Sequence, residues 1–262
     1  ALKALVLETL FKAAADASRE REKLVSYSTL VDLVSSLGAP RNIYAALAPT
    51  DRVRLIAEIK RASPSKGYLA EIPDPAEMAI SYEQSGADAV SVLTEETGFL
   101  GKLEDLVSVS KAVSIPTLRK DFISNEYQIL EARKAGASFI LLILSYLNKE
   151  QVSALFRFAE QLGMGVLVEA HTETEIETAG DLGCPLIGIN TRDLKTFRTD
   201  IGLFEKLANR LPTEVIRVAE SSVRSIEDVQ RYRAAGAHCV LVGEALVTGD
   251  YRKLIPQIVS VA

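Results

Sequence analysis

The chain has only two cysteines and two histidines in 262 residues. Cys184 and Cys239 each stand beside an apolar run, so they read as small core residues of a reducing compartment, not as a disulfide framework or redox pair. The scattered acids have no His or Cys partners at ligand spacing, and no metal site is expected. No apolar run approaches the roughly 20 residues of a membrane span. The N-terminus lacks the basic segment and apolar core of a secretory signal. Positive charge is not in excess either. The net charge is −5, which leaves no basic field to hold nucleic acid. An anionic ligand must then be caught by a local basic cluster. No GxGxxG follows the first strand-like run, which argues against a doubly wound dinucleotide fold. The expectation is a cytoplasmic protein, with a plastid or other organelle as the alternative, and with no nucleic-acid or membrane partner.

What is present supports a sizeable core: 48% of residues are hydrophobic and 25% charged. One local pattern recurs. SGADAV (Ser85 to Val90), AGASFI (Ala135 to Ile140), LGCPLI (Leu182 to Ile187) and AGAHCV (Ala235 to Val240) share it, and LGMGVL (Leu162 to Leu167) is a looser copy. Each follows helical periodicity and opens an apolar run. A helix ended by a left-handed glycine, then a short turn into a strand, explains all five. Eight strands are predicted at 55–60, 88–94, 116–121, 139–145, 165–170, 186–190, 215–220 and 239–243. Their spacing of roughly 21 to 33 residues is that of βα units. Continuous apolar runs such as Phe139 to Leu144 suit parallel strands covered on both faces. The fold class is α/β, a single closed (β/α)8 barrel over 51–262 preceded by a helical extension over 1–50. In that extension Leu2, Leu5, Val6, Thr9, Leu10 and Ala13 form a helical stripe, and a second helix is expected over 30–37, ended by Gly38 and Pro40. The extension could be padding over one barrel end or a lid over the catalytic face.

The chemistry lies in the strand ends, where a barrel places its site. Glu58 and Lys60 share one face of the first strand, with Ile59 turned away. The loop after them adds Arg61 and Lys66, a local basic patch. Lys120 ends the third strand in a partly apolar mouth, where disfavouring its charged form would poise it as a general acid. Arg119 and Asp121 face the other way. Glu169 ends the fifth strand, where an apolar interior would raise its pKa. Asn190 ends the sixth, followed by Arg192, and would orient a hydroxyl or a catalytic neighbour. Glu220, Ser221 and Ser222 end the seventh strand, and Gly243 and Glu244 the eighth. Ser221, Ser222 and Gly243 could supply phosphate donors, and Glu244 should then point away. His171, two past Glu169, reads as a packed or supporting residue, and His238 belongs to the opposite end.

These residues resemble the indole-3-glycerol phosphate synthase family, the tryptophan-pathway (β/α)8 lyases. The resemblance is carried by AEIKRASPSKG (Ala57 to Gly67), LTEETGFLGKLEDL (Leu93 to Leu106), LRKDFI (Leu118 to Ile123), LVEAHT (Leu167 to Thr172), IGINTRDL (Ile187 to Leu194), VAESSV (Val218 to Val223) and LVGEAL (Leu241 to Leu246), in family order. It favours the lid for the leading helices. It implies a decarboxylase of aromatic amino-acid biosynthesis that closes, decarboxylates and dehydrates 1-(o-carboxyphenylamino)-1-deoxyribulose 5-phosphate without a cofactor. It implies Lys120 as general acid at the ribulose carbonyl, Lys60 on the substrate carboxylate and Glu169 at the hydroxyl lost on dehydration. Glu58 would position the lysines, Asn190 would hold sugar hydroxyls, and Glu220 and Ser221 would complete the site. Phosphate would sit on Ser63, Ser222 and Gly243, near Arg192 and Glu244. Phe99, Leu141, Ile143 and Leu194 resemble the contacts for the anthranilate ring. A monomer is expected, with room for transient contact with other tryptophan-pathway enzymes.

Two positions depart from the family pattern. Thr191 replaces an Asn, and Ser222 replaces the Gly that usually follows Glu-Ser. A close backbone approach to phosphate is easiest for Gly. Two rivals are a phosphoribosylanthranilate isomerase, which would need a Cys/Asp acid–base pair, and a silent barrel, which should have lost Lys60, Lys120 or Glu169.

Overall fold

The structure, a computed structural model, describes residues 4–262, with side chains in the first helix from Val6 onward. Eight parallel strands close into a barrel: β1 (Arg54–Ile59), β2 (Ala89–Leu93), β3 (Thr117–Lys120), β4 (Phe139–Ile143), β5 (Gly165–Ala170), β6 (Leu186–Asn190), β7 (Ile216–Glu220) and β8 (Cys239–Val242). Each pairs with its neighbours in sequence, and β1 pairs with both β2 and β8. This is a TIM barrel. The five turn glycines, Gly86, Gly136, Gly163, Gly183 and Gly236, all take positive φ, as the recurring pattern predicts. No helix among the described residues is long and apolar enough to cross a membrane.

Strand alternation divides the core in two. Leu55, Ala57, Ile59, Ile140 and Leu142 face outward against the helices. Ile56, Leu118, Phe139, Leu141, Leu167, Val218 and Leu241 fill the barrel interior. Arg119 is outward and buried, and its guanidinium donates to Asp121 (3.1 Å), Glu131 (3.2 Å) and the Gln128 carbonyl (2.7 Å). Burying that charge is tolerable because every arm has an acceptor.

The extension does two jobs, where either padding or a lid was expected. Helix α1 (Ala4–Leu24) lies over the mouth, with Leu7, Leu10 and Phe11 buried in the interior core. Phe11 stacks on Tyr146 (3.8 Å between centroids) and meets Phe122 edge-on (5.3 Å). The predicted stripe is partly in phase, with Leu10 buried and Val6 packed beside it. Leu2 and the Leu5 side chain lie outside the described residues, Thr9 is exposed, and the buried face runs through Leu7, Phe11, Ala14 and Ser18. The large pair Leu7 and Phe11, one turn apart, sets the phase. Helix α2 (Tyr27–Ser35) starts three residues before its predicted position because Ser26 caps it, its hydroxyl accepting from Thr29 N at 3.2 Å. Helix α3 (Ile43–Ala46) plugs the opposite end. A Cβ on Gly165, the first residue of β5, would fall 2.2 Å from Ile43 Cγ2. Val166 N also donates to the Tyr44 hydroxyl at 3.0 Å.

Candidate active site

Inward positions at the upper strand ends converge on one cavity of about 430 Å³. Its lining includes all the catalytic candidates (Glu58, Lys60, Lys120, Glu169, Asn190, Glu220 and Ser221) and all the binding candidates (Ser63, Phe99, Leu141, Ile143, Arg192, Leu194, Ser222, Gly243 and Glu244). Register explains the convergence. Glu58 is paired with Ser91, Ile143 with Glu169, Glu169 with Gly188, and Asn190 with Glu220.

One half of the cavity is built on Glu58. Its Oε2 accepts from Lys120 Nζ at 2.9 Å and from Ser91 Oγ at 2.8 Å, while Oε1 lies 3.6 Å from Lys60 Nζ. Burial alone would raise the Glu58 pKa, but Lys120 and then Lys60 outweigh it, and the carboxyl ends below its ordinary value. The two lysines diverge. Burial pulls Lys60 down; Glu58 opposes this, while Lys120 and Arg192 add to it, so the net direction is down. Burial also pulls on Lys120, but Glu58, Glu220 and Glu169 more than offset it, and its pKa is raised. The expectation that the mouth disfavours the charged form of Lys120 is therefore corrected. Three carboxyls surround that ammonium, and the lysine with the disfavoured charge is Lys60.

The other half holds Glu169 and Glu220. Asn190 Nδ2 donates to Glu169 Oε1 at 3.1 Å, and its Oδ1 accepts from Ser221 Oγ at 2.8 Å and from Arg192 N at 3.0 Å. Asn190 thus ties three strand ends together. The carboxyl pushed well above its ordinary value is Glu220, first by burial and then by the charge of Glu169. Neither Glu220 oxygen has a hydrogen-bond partner among the described residues. Two inward glycines make room for the buried acids. A Cβ at Gly188 would meet Glu220 Oε2 at 2.3 Å, and one at Gly243 would meet Glu58 Oε1 at 2.8 Å.

The rim carries the remaining polar groups. Lys66 donates to Glu244, Arg192 Nη2 lies 3.8 Å from the same carboxylate, and Arg192 Nη1 donates to Ser65 Oγ at 3.2 Å. Glu244 was expected to turn away. It faces the cavity instead, neutralised by these cations, and burial is outweighed by Lys66 so that its pKa falls. Arg61, expected in the basic patch, points outward. It binds Asp105 at 2.5 Å and the Ile72 carbonyl at 3.0 Å, as alternation from Glu58 and Lys60 dictates. Ser221 (φ 71°) and Ser222 (φ 65°) are both left-handed, a costly state for non-glycine residues. The two departures from the family pattern meet here. Thr191 Oγ1 lies 2.6 Å from Ser222 Oγ and 2.8 Å from the Tyr232 hydroxyl, and Tyr232 in turn donates to the Ser221 carbonyl at 3.0 Å.

Several lining residues were not foreseen: Leu7 and Leu10 from α1, Phe122 after β3, and Phe197 and Arg224 on loops. Ser91, which supports Glu58, was also missed; an inward polar residue in the otherwise apolar run AVSVL was the available signal. Cys184 and Cys239 are buried at the lower strand ends, so no cysteine reaches the mouth as an isomerase acid. His238 lies at that end too, its Nδ1 accepting from Arg217 N at 3.0 Å. Among the described residues no group of His, Cys, Asp and Glu could hold a metal ion.

Comparison with known proteins agrees with this geometry. The profile of the family described as indole-3-glycerol phosphate synthase matches residues 7–258. A protein of that name from Leifsonia xyli subsp. xyli is 54% identical over 235 residues, covering 90% of each chain. One from Mycolicibacterium smegmatis is 46% identical over 98% of this chain and 94% of its own. One from Micrococcus luteus is 48% identical over 92% of each. With a match along nearly its whole length and a closed barrel carrying both lysines at its mouth, the chain belongs to the indole-3-glycerol phosphate synthase family, carboxy-lyases of tryptophan biosynthesis.

Proposed function

We propose that this cavity takes 1-(o-carboxyphenylamino)-1-deoxyribulose 5-phosphate through ring closure, decarboxylation and dehydration, with its residues in the following roles. Lys120 is the general acid. The carboxyls around it keep it protonated at neutral pH, so it holds a proton for the ribulose carbonyl oxygen as the ring carbon attacks. Lys60 holds the substrate carboxylate through ring closure. Its lowered pKa lets it exchange a proton afterwards more readily than an ordinary lysine. Glu58 positions both ammonium groups.

Carbon dioxide leaves from the ring against an apolar wall of Phe99, Leu141, Ile143 and Leu194. Its electrons return to the ring, and an apolar surround favours this loss of charge. Dehydration needs a proton on the departing hydroxyl and a base for the proton on the carbon beside nitrogen. Glu169 serves the hydroxyl. Glu220, held neutral by burial and by Glu169, is a second carboxyl able to donate, and Asn190 with Ser221 holds the sugar hydroxyls. Phosphate is read by Ser63, Ser222, the Gly243 backbone and Arg192. No cofactor takes part, and the enzyme acts as a monomer.

The observation that carries these roles is the bracketing of one buried carboxylate by two lysines of opposite pKa direction, beside an apolar wall. The test is indole fluorescence on mixing the protein with the substrate, without metal or cofactor. The signal should rise in the wild type and be absent in Lys120→Met. Substantial turnover in Lys120→Met rejects Lys120 as the principal acid.

A further inference from the structure

His171 is unused by the roles above, yet its ring stands against Glu169 from outside the cavity lining. Its Nε2 lies 3.5 Å from Glu169 Oε1 and is buried without a hydrogen-bond partner. Its Nδ1 lies 2.9 Å from Ser145 Oγ and 3.7 Å from Glu175 Oε2. Ser145 Oγ donates to Glu175 Oε1 at 3.0 Å, so the serine proton is committed and Nδ1 must be the donor towards Ser145. That assignment turns Nε2 alone towards Glu169.

Local sequence builds this clamp. Thr172 caps helix α4 (Glu173–Leu182), its hydroxyl accepting from Glu175 N at 3.2 Å, and the Glu175 carboxylate reaches back to accept from His171 N at 2.5 Å. This is a capping-box arrangement extended by one residue, and it leaves a carboxylate beside the imidazole. The groups facing His171 are therefore Glu169 from β5, Glu175 from α4, Ser145 from the loop after β4 and Asp193 from the loop after β6. All the charged ones are acids. Burial lowers the His171 pKa, but Glu175, Glu169 and Asp193 outweigh it and the net shift is upward.

Two acceptors cannot face each other stably across 3.5 Å of buried space. Either the imidazole or Glu169 must carry a proton between them. The reaction needs such a proton. Ring closure puts one on the carbonyl oxygen, loss of water puts a second on the departing hydroxyl, and only one returns from carbon. The substrate carboxylate leaves as neutral carbon dioxide, so each turnover takes up one proton from solvent.

From this geometry we infer that His171 and Glu169 form a proton-sharing pair, in which His171 Nε2–H supplies the proton that Glu169 passes to the departing hydroxyl while Glu175 and Ser145 hold the ring in place through Nδ1–H. In the balanced step, the Nε2–H bond breaks as its proton passes to Glu169, and the Glu169 O–H bond so formed breaks as water leaves. The neutral imidazole regains its proton from solvent water once the cavity opens on product release. Side-chain exposure rises outward from 2% at Glu169 to 10% at His171 and 18% at Glu175, so the pair lies between the sealed site and the surface. His171 acts through Glu169 and is a positioning and proton-supplying residue. The inference rests on the synthase reading with Glu169 at the departing hydroxyl.

The test has two arms. The chain has only two histidines, so proton NMR of the whole enzyme shows two imidazole titrations. His171 should titrate above the ordinary 6.5 and His238, lowered by burial, below it. Glu169→Gln and Glu175→Gln should each bring the His171 titration down, by about one unit or more. In the second arm, kcat is followed against pH by indole fluorescence. His171→Gln should move the alkaline limb down by about one unit, so that kcat falls about tenfold at pH 8 but less than about threefold at pH 6, with KM little changed. Glu175→Gln should move the limb in the same direction. A His171 titration unmoved by Glu169→Gln overturns the pair. A loss that is uniform across pH, or no loss, means that His171 only packs, and also overturns it. Wild-type turnover in the same assay tests the synthase reading separately, and the NMR arm stands without it.

Discussion

Gly188 is the position where adding a single methyl group should be most informative. It faces into the barrel from the middle of β6, paired with Glu169 on one side and Val218 on the other. An alanine Cβ there would fall 2.3 Å from Glu220 Oε2, 3.0 Å from its Cδ and 3.3 Å from Leu167 Cδ1. Restoring ordinary contact requires the carboxyl to move by about 1 Å inside a packed barrel. Overpacking of this kind costs about 1–3 kcal/mol, which lowers Tm by about 2–12 °C at about 2–4 °C per kcal/mol. A displacement of about 1 Å at the reacting groups should cost about 100-fold in kcat/KM. Scanning fluorimetry and the indole assay measure the two effects. The double variant Gly188→Ala/Glu220→Ala isolates the cause. Once the carboxyl is gone the methyl has room, so the added alanine should cost far less Tm than in the wild type, a coupling of about 0.5–3 kcal/mol, while activity stays low. A Gly188→Ala protein that melts with the wild type and keeps its kcat/KM would refute the idea that this glycine is a cradle for Glu220. Equal Tm losses in both backgrounds would place the clash elsewhere.

Lys120→Met removes one of the two ammonium groups beside the buried Glu58 carboxylate, leaving Lys60 and the Ser91 hydroxyl. Besides abolishing turnover with binding largely retained, it should destabilise by about 3–5 kcal/mol, less whatever Lys60 recovers, as read from chemical denaturation; an unchanged midpoint would mean that Glu58 is not held by Lys120. Glu220, with its folded pKa raised from 4.5, contributes stability that is full below that value and is lost as pH rises through the folded pKa. Glu220→Gln cannot ionise, so its Tm gain over wild type should grow from about pH 5 to pH 8, and parallel Tm–pH curves would contradict the raised pKa. Glu58 has the opposite sign, its contribution being lost as pH falls below 4.5. Ser222→Gly relieves a left-handed serine worth about 1–2 kcal/mol but breaks the bond to Thr191, so Tm should barely move. Turnover should persist with a lower KM, and a KM unchanged or raised would remove the idea that serine strain holds phosphate off. Arg61→Lys should lower Tm without changing KM, because Arg61 serves Asp105 rather than the ligand.

The barrel was legible because its signals are local. An apolar run, a charged end and a following glycine turn each lie within a few residues, and strand ends were placed within one or two positions. The side of each strand was legible too, since period-two alternation puts Glu58 and Lys60 inward and Ile59 outward. Applied one residue further, the same rule turns Arg61 outward; counting it in the basic patch weighed charge above phase. The phase of α1 was read only in part because two overlapping stripes were available, and only the barrel interior selects Leu7 and Phe11 over Thr9. Gly188 and Gly243 could not be recognised as cradles. A strand glycine announces only a close approach, and what approaches is fixed by neighbouring strands through register. The same dependence hid the raised pKa of Glu220. Glu169 and Glu220 end their strands in similar apolar runs, and it is Glu220 that has both oxygens without a donor.

Residue type alone therefore says little about proton state at this mouth. Lys60 and Lys120 are both buried beside Glu58, yet one is pushed down and the other up. The difference follows from geometry. Lys120 donates to Glu58 at 2.9 Å and looks across the barrel at Glu220 and Glu169, whereas Lys60 stands 3.6 Å away with Lys120 and Arg192 as further neighbours. The acids divide in the same manner. Glu58 between two ammonium groups is pushed down, and Glu220 is pushed up, first by burial and then by Glu169. Pairs of like groups driven apart by their surroundings provide both a donor and an acceptor at one pH. A reaction that must protonate an oxygen twice and deprotonate a carbon once needs such divided pairs, and the closed barrel sets them facing one another across a single cavity.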